Sequence, residues 1–290
     1  MSSHENAPVP TDPTLVPRVD LLDGTTIPQL GLGTYLVEEA EAEQVVGTAL
    51  DLGYRHVDTA QMYGNEEGVG RALAGSGLAR DELYVTTKLD NGNHLPADVD
   101  RSMDESLARL GLDRVDLFLI HWPLPMHHDG DFVSTWRAMT ELVADGRATS
   151  VGVSNFQPDH LNRIVAETGV APVVNQVELH PFFANRAVVG ANERHGVVTE
   201  AWSPIARGRV GEDDSIGEIA SLKGRTPAQV ALRWHLQKGY VVFPKSVDPH
   251  RMAANLAVLD FELSADEVAL IDELDGGEAG RMGPHPNTFG

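Results

Sequence analysis

The sequence predicts an α/β chain closed into a (β/α)8 barrel, a TIM barrel. Two observations carry this reading. Short Val-rich apolar runs alternate with helix-patterned segments about eight times over roughly 250 residues. No stretch rich in Pro, Gly or Ser divides the chain, so one domain is expected over residues 18–290, after a flexible N-terminal arm over residues 1–17. A doubly wound parallel sheet is the alternative.

The elements follow in order. The segment VDLLDGTTIP (19–28) sets Asp23-Gly24 between apolar alternations, which predicts a β-hairpin placed to plug the barrel floor. LGLGTY (30–35) is the first and weakest strand. HVDTA (56–60), YVTTK (84–88), VDLFLIHW (115–122) and TSVGVSN (149–155) follow, and then VVNQVE (173–178), VVTEAW (197–202) and VVFPK (241–245). Between them, Glu39–Leu52 shows helical periodicity and stops at Gly53. Asp98–Leu110 stops at Gly111, and Pro158–Thr168 stops at Gly169. Thr226-Pro227-Ala228-Gln229 reads as a capping box with Pro at the first helical position, opening a helix that ends at Gly239. Ser264 to Glu267 is a second capping box and opens an extra C-terminal helix, followed by a tail.

Composition narrows the function. A net charge of -21 over 290 residues argues against a nucleic-acid or anionic-membrane surface. The absence of cysteine excludes thiolate catalysis, disulfides and Cys-ligated zinc. The first residues, MSSHENAPVPTDPTLVP, carry neither the basic nor the apolar region of a signal peptide, and no apolar run is long enough to span a bilayer. A cytoplasmic protein is expected.

The chemistry gathers where strands end. In a barrel, neighbouring strands lie about 4.8 Å apart and their C-terminal ends form the active face. Asp58 near the end of the second strand, Lys88 closing the third and His121 near the end of the fourth would therefore converge. Tyr63 follows the second strand in RHVDTAQMYGNEE (55–67) and leans over the same spot. A free phenol, with a pKa near ~10, is a poor acid at neutral pH. Lys88 beside it is expected to lower that value, and Asp58 to hold Lys88 in place and charged. Tyr63 then acts as a general acid while His121 hydrogen-bonds the substrate oxygen. Such a group suits carbonyl reduction.

Reduction needs a hydride donor, yet Gly31-Leu32-Gly33 and Gly68-Val69-Gly70 do not complete a dinucleotide fingerprint. Lys245-Ser246-Val247-Asp248-Pro249-His250-Arg251 is a better phosphate clamp, placed where barrels often hold phosphate. Trp202 and Ser203 offer an aromatic platform and a hydroxyl, and Ser154, Asn155 and Gln176 offer partners for a carboxamide. Tyr35 and Trp122 are read as an apolar wall guiding the substrate, with ordinary rim packing as the competing reading.

The stretches LDLGYRHVDTAQMYGNEEGVGRAL, LYVTTKL, LGLDRVDLFLIHWP, SVGVSNF, NQVELHP, AWSPIARG, TPAQVALRWHLQKGYVVFPKSV and NLAVLDFELS resemble the aldo-keto reductase family. The likeness is to its prokaryotic branch that includes the 2,5-diketo-D-gluconic acid reductases, and it runs from about Val19 to about Pro286. The resemblance implies an NADPH-dependent reductase of aldehydes, ketones or keto-sugars, monomeric by family default. It places the catalytic tetrad on Asp58, Tyr63, Lys88 and His121 and the nicotinamide contacts on Ser154, Asn155, Gln176 and Trp202. The pyrophosphate loop falls on Ser203, Pro204, Ile205 and Arg207. The adenosine 2′-phosphate site falls on Lys245, Ser246, Val247 and Arg251, with Asn255 near the adenine. Two positions depart from the family pattern: Asp90 follows Lys88-Leu89 where Trp is common, and Ala254 precedes Asn255 where Glu is common.

Other readings remain in view. Some relatives of this barrel bind NADPH as redox-sensing regulatory modules with slow catalysis. A metal-dependent hydrolase would use His127-His128, but these have no third ligand at useful spacing and read as a solvated loop, so no metal is expected. Glu212-Asp213-Asp214 is likewise read as solvated. Arg281 and His285 in the tail are candidates for attracting an acidic substrate, or are solvated.

Overall fold

The computed structural model describes residues 12–290. Residues 1–11 of the expected arm lie outside the described residues, and its remainder holds a short 3-10 turn, Pro13–Leu15, capped by Asp12. The expected hairpin is present: β1 (Arg18–Asp20) pairs antiparallel with β2 (Thr26–Pro28) in the register Val19↔Ile27.

Strands and helices then alternate. β3 (Leu32–Gly33), α1 (Glu39–Asp51), β4 (His56–Asp58) and α2 (Glu66–Gly75) come first. β5 (Tyr84–Leu89), α3 (Pro96–Leu110), β6 (Val115–Ile120) and α4 (Val133–Ala144) follow. Next are β7 (Ala148–Ser154), α5 (Pro158–Thr168), β8 (Val174–Glu178), α6 (Arg186–His195) and β9 (Val198–Trp202). Two helices, α7 (Asp214–Lys223) and α8 (Pro227–Gln237), precede β10 (Val241–Val242), and α9 (Pro249–Leu256) and α10 (Ala265–Asp272) complete the order. The eight strands β3 to β10 lie parallel in chain order. The parallel bridge Leu30↔Val242 joins the first to the last and closes the barrel.

Several strands are shorter than the apolar runs that announced them. β10 stops at Val242 because Pro244 has no N–H to continue a ladder. β4 stops at Asp58 because Ala60 opens a 3-10 turn, Gln61–Tyr63, which lifts the tyrosine back over the strand ends. The acidic run expected to be solvated has a structural role: Asp213 caps α7 by accepting a hydrogen bond from the Ile216 N–H at 3.0 Å. Thr226 and Ser264 cap α8 and α10 as their capping boxes predict.

Side chains alternate across each strand. On β5, Val85 and Leu89 pack outward into the large layer beneath the helices, while Tyr84 packs inward. The lumen is filled by Tyr84, Leu117, Leu119, Val174 and Val241, and Ile27 and Leu21 of the hairpin join them. Gly152 on β7 is needed there, since a Cβ would stand 2.8 Å from Leu119 Cδ2 and from the Val174 carbonyl. The hairpin is pinned to the barrel by Ser150, whose hydroxyl donates to Asp23 Oδ2 at 2.6 Å. The interior is therefore packed and closed at one end, and the polar strand ends face the other.

Candidate active site

Asp58 ends β4 and Lys88 lies on β5, the adjacent strand. Both are inside the barrel, 2% and 0% exposed. Such burial of a lysine demands partners for all three of its hydrogens. They are found: Lys88 Nζ donates to Asp58 Oδ1 at 2.6 Å, to the Thr59 carbonyl at 2.9 Å and to the Tyr63 hydroxyl at 3.3 Å. The Thr59 carbonyl is a participant the sequence reading missed. Three acceptors aim the ammonium, so that one of its hydrogens points at the phenol.

His121 follows β6 and stands edge-on to Tyr63, with ring centroids 5.6 Å apart. Burial, then the charge of Lys88, hold its imidazole well below the ordinary histidine value. His121 is thus neutral and has one N–H to give. Its Nδ1 is buried with no partner among the described residues. An orphaned acceptor costs less than an orphaned N–H, which assigns the proton to Nε2.

The expected acidification of Tyr63 is corrected by the structure. Burial is the largest influence and raises its proton affinity; Lys88 lowers it, Asp58 raises it, and the net direction is upward. The sequence shows the cation but not the depth at which the phenol sits. Burial likewise raises Asp58, against the pull of Lys88 and Gln176. Burial alone would lower Lys88, but Asp58 and Tyr63 together outweigh it and leave it raised. The 2.6 Å contact of Lys88 Nζ with Asp58 Oδ1 makes the two an ion pair, and Tyr63, raised above an already alkaline value, keeps its proton through the neutral range.

The residues assigned to the nicotinamide end meet in one hydrogen-bond chain. Trp202 Nε1 donates to Asn155 Oδ1 at 2.8 Å, and Asn155 Nδ2 donates to the His121 carbonyl at 2.9 Å and to Ser154 Oγ at 3.0 Å. Ser154 Oγ donates to the Gln176 carbonyl at 2.8 Å. Asn155 sits at φ 64°, in the left-handed region that asparagine tolerates. The Gln176 side chain is engaged inward, its Nε2 donating to Asp58 Oδ2 at 2.9 Å and to Glu200 Oε2 at 2.8 Å.

Beyond β9 the backbone is strained: Ser203, Ala206 and Arg207 have φ of 53°, 49° and 53°. Left-handed non-glycine residues concentrated in so short a loop are a mark of functional sites. Pro204 is buried, Ile205 half-buried and Arg207 exposed in the same loop. Lys245, Val247 and Arg251 are exposed around the start of α9, whose cap is Asp248. Neither Lys245 nor Arg251 has a carboxylate partner among the described salt bridges. Ser246 is buried, its hydroxyl donating to the Asp248 carbonyl at 3.2 Å, and Asn255 is half-buried further along α9.

Tyr35 lies against Tyr63, centroids 5.2 Å apart, and is 58% exposed, so it faces the mouth. Trp122 does not stand open as a rim residue: it is buried and packs on Phe289 of the tail at 4.2 Å. The tail is clasped by a residue the sequence reading passed over. The buried carboxylate of Glu178 accepts from the backbone N–H groups of Met282 at 2.6 Å and Gly283 at 2.9 Å. Gly283 lies so close to Trp202 that a Cβ would meet its Cη2 at 2.5 Å. Arg281 is spent on Glu278 at 2.8 Å and stacks over Phe183, which removes it as a lure for acidic substrates.

Asp90 turns back on its own loop and accepts from the Gly92 N–H at 2.8 Å, and the Ala254 carbonyl accepts from Gln229 Nε2 at 2.9 Å. His127 and His128 are exposed, and no cluster fit for a metal occurs among the described residues.

A (β/α)8 barrel whose open face carries a lysine-held tyrosine beside a neutral histidine has the groups with which one proton can be passed to or from a bound oxygen. The Aldo/keto reductase family profile matches residues 29–276, and the chain belongs to that family. It is 46% identical over 280 residues to the methylglyoxal reductase DkgA of Yersinia pestis, covering 96% of this chain and 99% of that protein. Among solved structures, Gox0644 in its apo form superposes with a TM-score of 0.91 at 47% identity, covering 95% of this chain and 99% of that one. A variant of Gox0644 in complex with NADPH superposes with a TM-score of 0.90 at the same identity and coverage.

Proposed function

We propose that this chain is an NADPH-dependent reductase of small carbonyl compounds, with Tyr63 as proton donor. The observation that carries the reading is the placement of Lys88 Nζ between Asp58 Oδ1 and the Tyr63 hydroxyl, at 2.6 and 3.3 Å. A phenol that keeps its proton in the resting state releases it most readily where a fixed cation awaits the phenolate. His121 Nε2–H orients the same substrate oxygen, and Tyr35 and the Trp122–Phe289 pair wall the approach.

The residues present fit the cofactor. Exposed Lys245 and Arg251 suit a phosphate in a protein otherwise strongly acidic. The strained loop from Ser203 to Arg207 suits the pyrophosphate. Ser154, Asn155, Gln176 and Trp202 suit the nicotinamide end, and Asn255 the adenine. NADPH, when bound, supplies the hydride. NADPH appears in the solved complex of a Gox0644 variant, and reduction in the name of the DkgA relative, which fits a dicarbonyl or keto-sugar substrate here. A single folding unit over residues 18–290, a monomeric state and a cytoplasmic location belong to the same proposal. Sedimentation and cell fractionation test the last two.

Tyr63→Phe is the central test. Loss of the positioned acid lowers turnover by about 10²–10⁴-fold, while NADPH binding, followed by quenching of protein fluorescence, stays as in the wild type. Wild-type turnover in this variant removes Tyr63 from the role. The regulatory-module reading predicts negligible turnover of any carbonyl by the wild type, and a panel of aldehydes, α-dicarbonyls and keto-sugars tests it.

A further inference from the structure

Glu200 lies in the middle of β9, inside the barrel and with none of its surface exposed. Apolar side chains fill most of this interior, so a carboxyl group here needs a reason. Its strand neighbours bring it no charge: Val241 is its register partner on β10, and Gln176 its partner on β8. Across the lumen stand Asp58 on β4 and Lys88 and Tyr84 on β5, with His56 against Tyr84 at 5.0 Å between ring centroids.

The contact that matters is the amide of Gln176. Its nitrogen carries two hydrogens, and both go to carboxyl oxygens, Asp58 Oδ2 at 2.9 Å and Glu200 Oε2 at 2.8 Å. This fixes the amide's orientation, with Oε1 left as the free end. A continuous series then runs Glu200, Gln176, Asp58, Lys88, Tyr63, each link a hydrogen bond. Glu200 Oε1 is buried without a partner among the described residues. A bare, buried carboxylate oxygen is costly, and the site offers one lysine for two carboxyl groups.

We propose that Glu200 is a positioning residue for the reduction: by sharing the Gln176 amide with Asp58 it holds that amide in place and sets the proton affinity of the Lys88–Tyr63 pair. This rests on Tyr63 being the proton donor. Burial, reinforced by Asp58 and opposed by Gln176 and Lys88, pushes the Glu200 carboxyl up to about 8. Below that pH Glu200 is neutral, and Asp58 alone faces Lys88. Above it, a second negative charge enters the lumen and raises the affinity of Lys88 and Tyr63 for their protons. The phenol then becomes a weaker acid, and its use as a base in alcohol oxidation moves to higher pH.

Glu200→Gln keeps the side chain's size and its capacity to accept from Gln176, and removes the ionisation. The readout is kcat/KM for carbonyl reduction as a function of pH. The wild-type profile should carry an inflection near pH 8 that the variant lacks. The alkaline limb assigned to Tyr63 should move to lower pH in the variant by on the order of half a unit, about 3-fold in proton affinity. Superimposable profiles overturn the proposal. Infrared titration of the wild type beside Glu200→Gln assigns the group. A protonated carboxyl band present at neutral pH, lost through pH 8 and missing from the variant supports the proposal. Its absence from the wild type at neutral pH, or its persistence in the variant, overturns it. Failure of the underlying reading shows elsewhere, as wild-type turnover in Tyr63→Phe.

Discussion

The two ends of the proposed cofactor site are held in different ways. At the catalytic end, Lys88 is fully buried and each of its hydrogens has an acceptor. At the far end, Lys245 and Arg251 are exposed beside the start of α9, with no acid described against them. The first arrangement fixes a charge in the apoprotein. The second leaves charges free for a ligand to complete. A buried ion pair tolerates no loss of one partner, whereas an exposed cation can be lost at little cost to the fold.

Substitutions can break this contrast. Lys88→Met should have the largest effect, because it strands Asp58 in the lumen beside the hydrogen-bond donors that remain. Turnover should fall by about 10²–10⁴-fold, and urea unfolding should show a loss of about 3–5 kcal/mol. A variant that is inactive but fully stable would mean that the lysine's charge is not buried as described. Arg251→Ala should leave unfolding unchanged and weaken NADPH by about 10–100-fold, in line with one lost charge-assisted hydrogen bond. The loss should shrink as salt increases, and kcat at saturating cofactor should hold. An equal loss for NADH would mean that Arg251 does not read the 2′-phosphate.

The tail sharpens the contrast, since Glu178 grips it through buried hydrogen bonds although it lies at the mouth. Gly283→Ala should push the tail off Trp202, at about 1–3 kcal/mol of overpacking. It should raise KM for carbonyl substrates by several-fold, with a smaller change in kcat. An unchanged KM would place the tail outside the substrate's path.

The meeting of the side chains at the proposed catalytic end was legible in the sequence, and for a simple reason. A parallel barrel delivers the C-terminal residues of consecutive strands to one rim, so Asp58, Lys88 and His121 needed only their strands to be found. Residues that act across the lumen or at long range were not legible. The partnership of Glu200 with Asp58 depends on which inward side chains face each other through Gln176, and strand spacing does not reveal it. The Glu178 clasp joins residues 104 positions apart through backbone N–H groups that leave no compositional trace. The direction of the Tyr63 shift failed for a related reason. A sequence displays charges, but burial, which outweighs Lys88 here, emerges only from packing. The contact of Trp122 with Phe289 was not legible either, because nothing in its sequence neighbourhood announces a partner from the tail.

The hairpin has a consequence for traffic. Ile27 is wholly covered among the lumen side chains, and Asp23 is tied to Ser150, so the barrel is a cul-de-sac. Whatever enters to react must leave by the same doorway. Lys88 and Tyr63 are therefore served from the rim of strand ends alone, and a blocked rim would shut the site with no second route in.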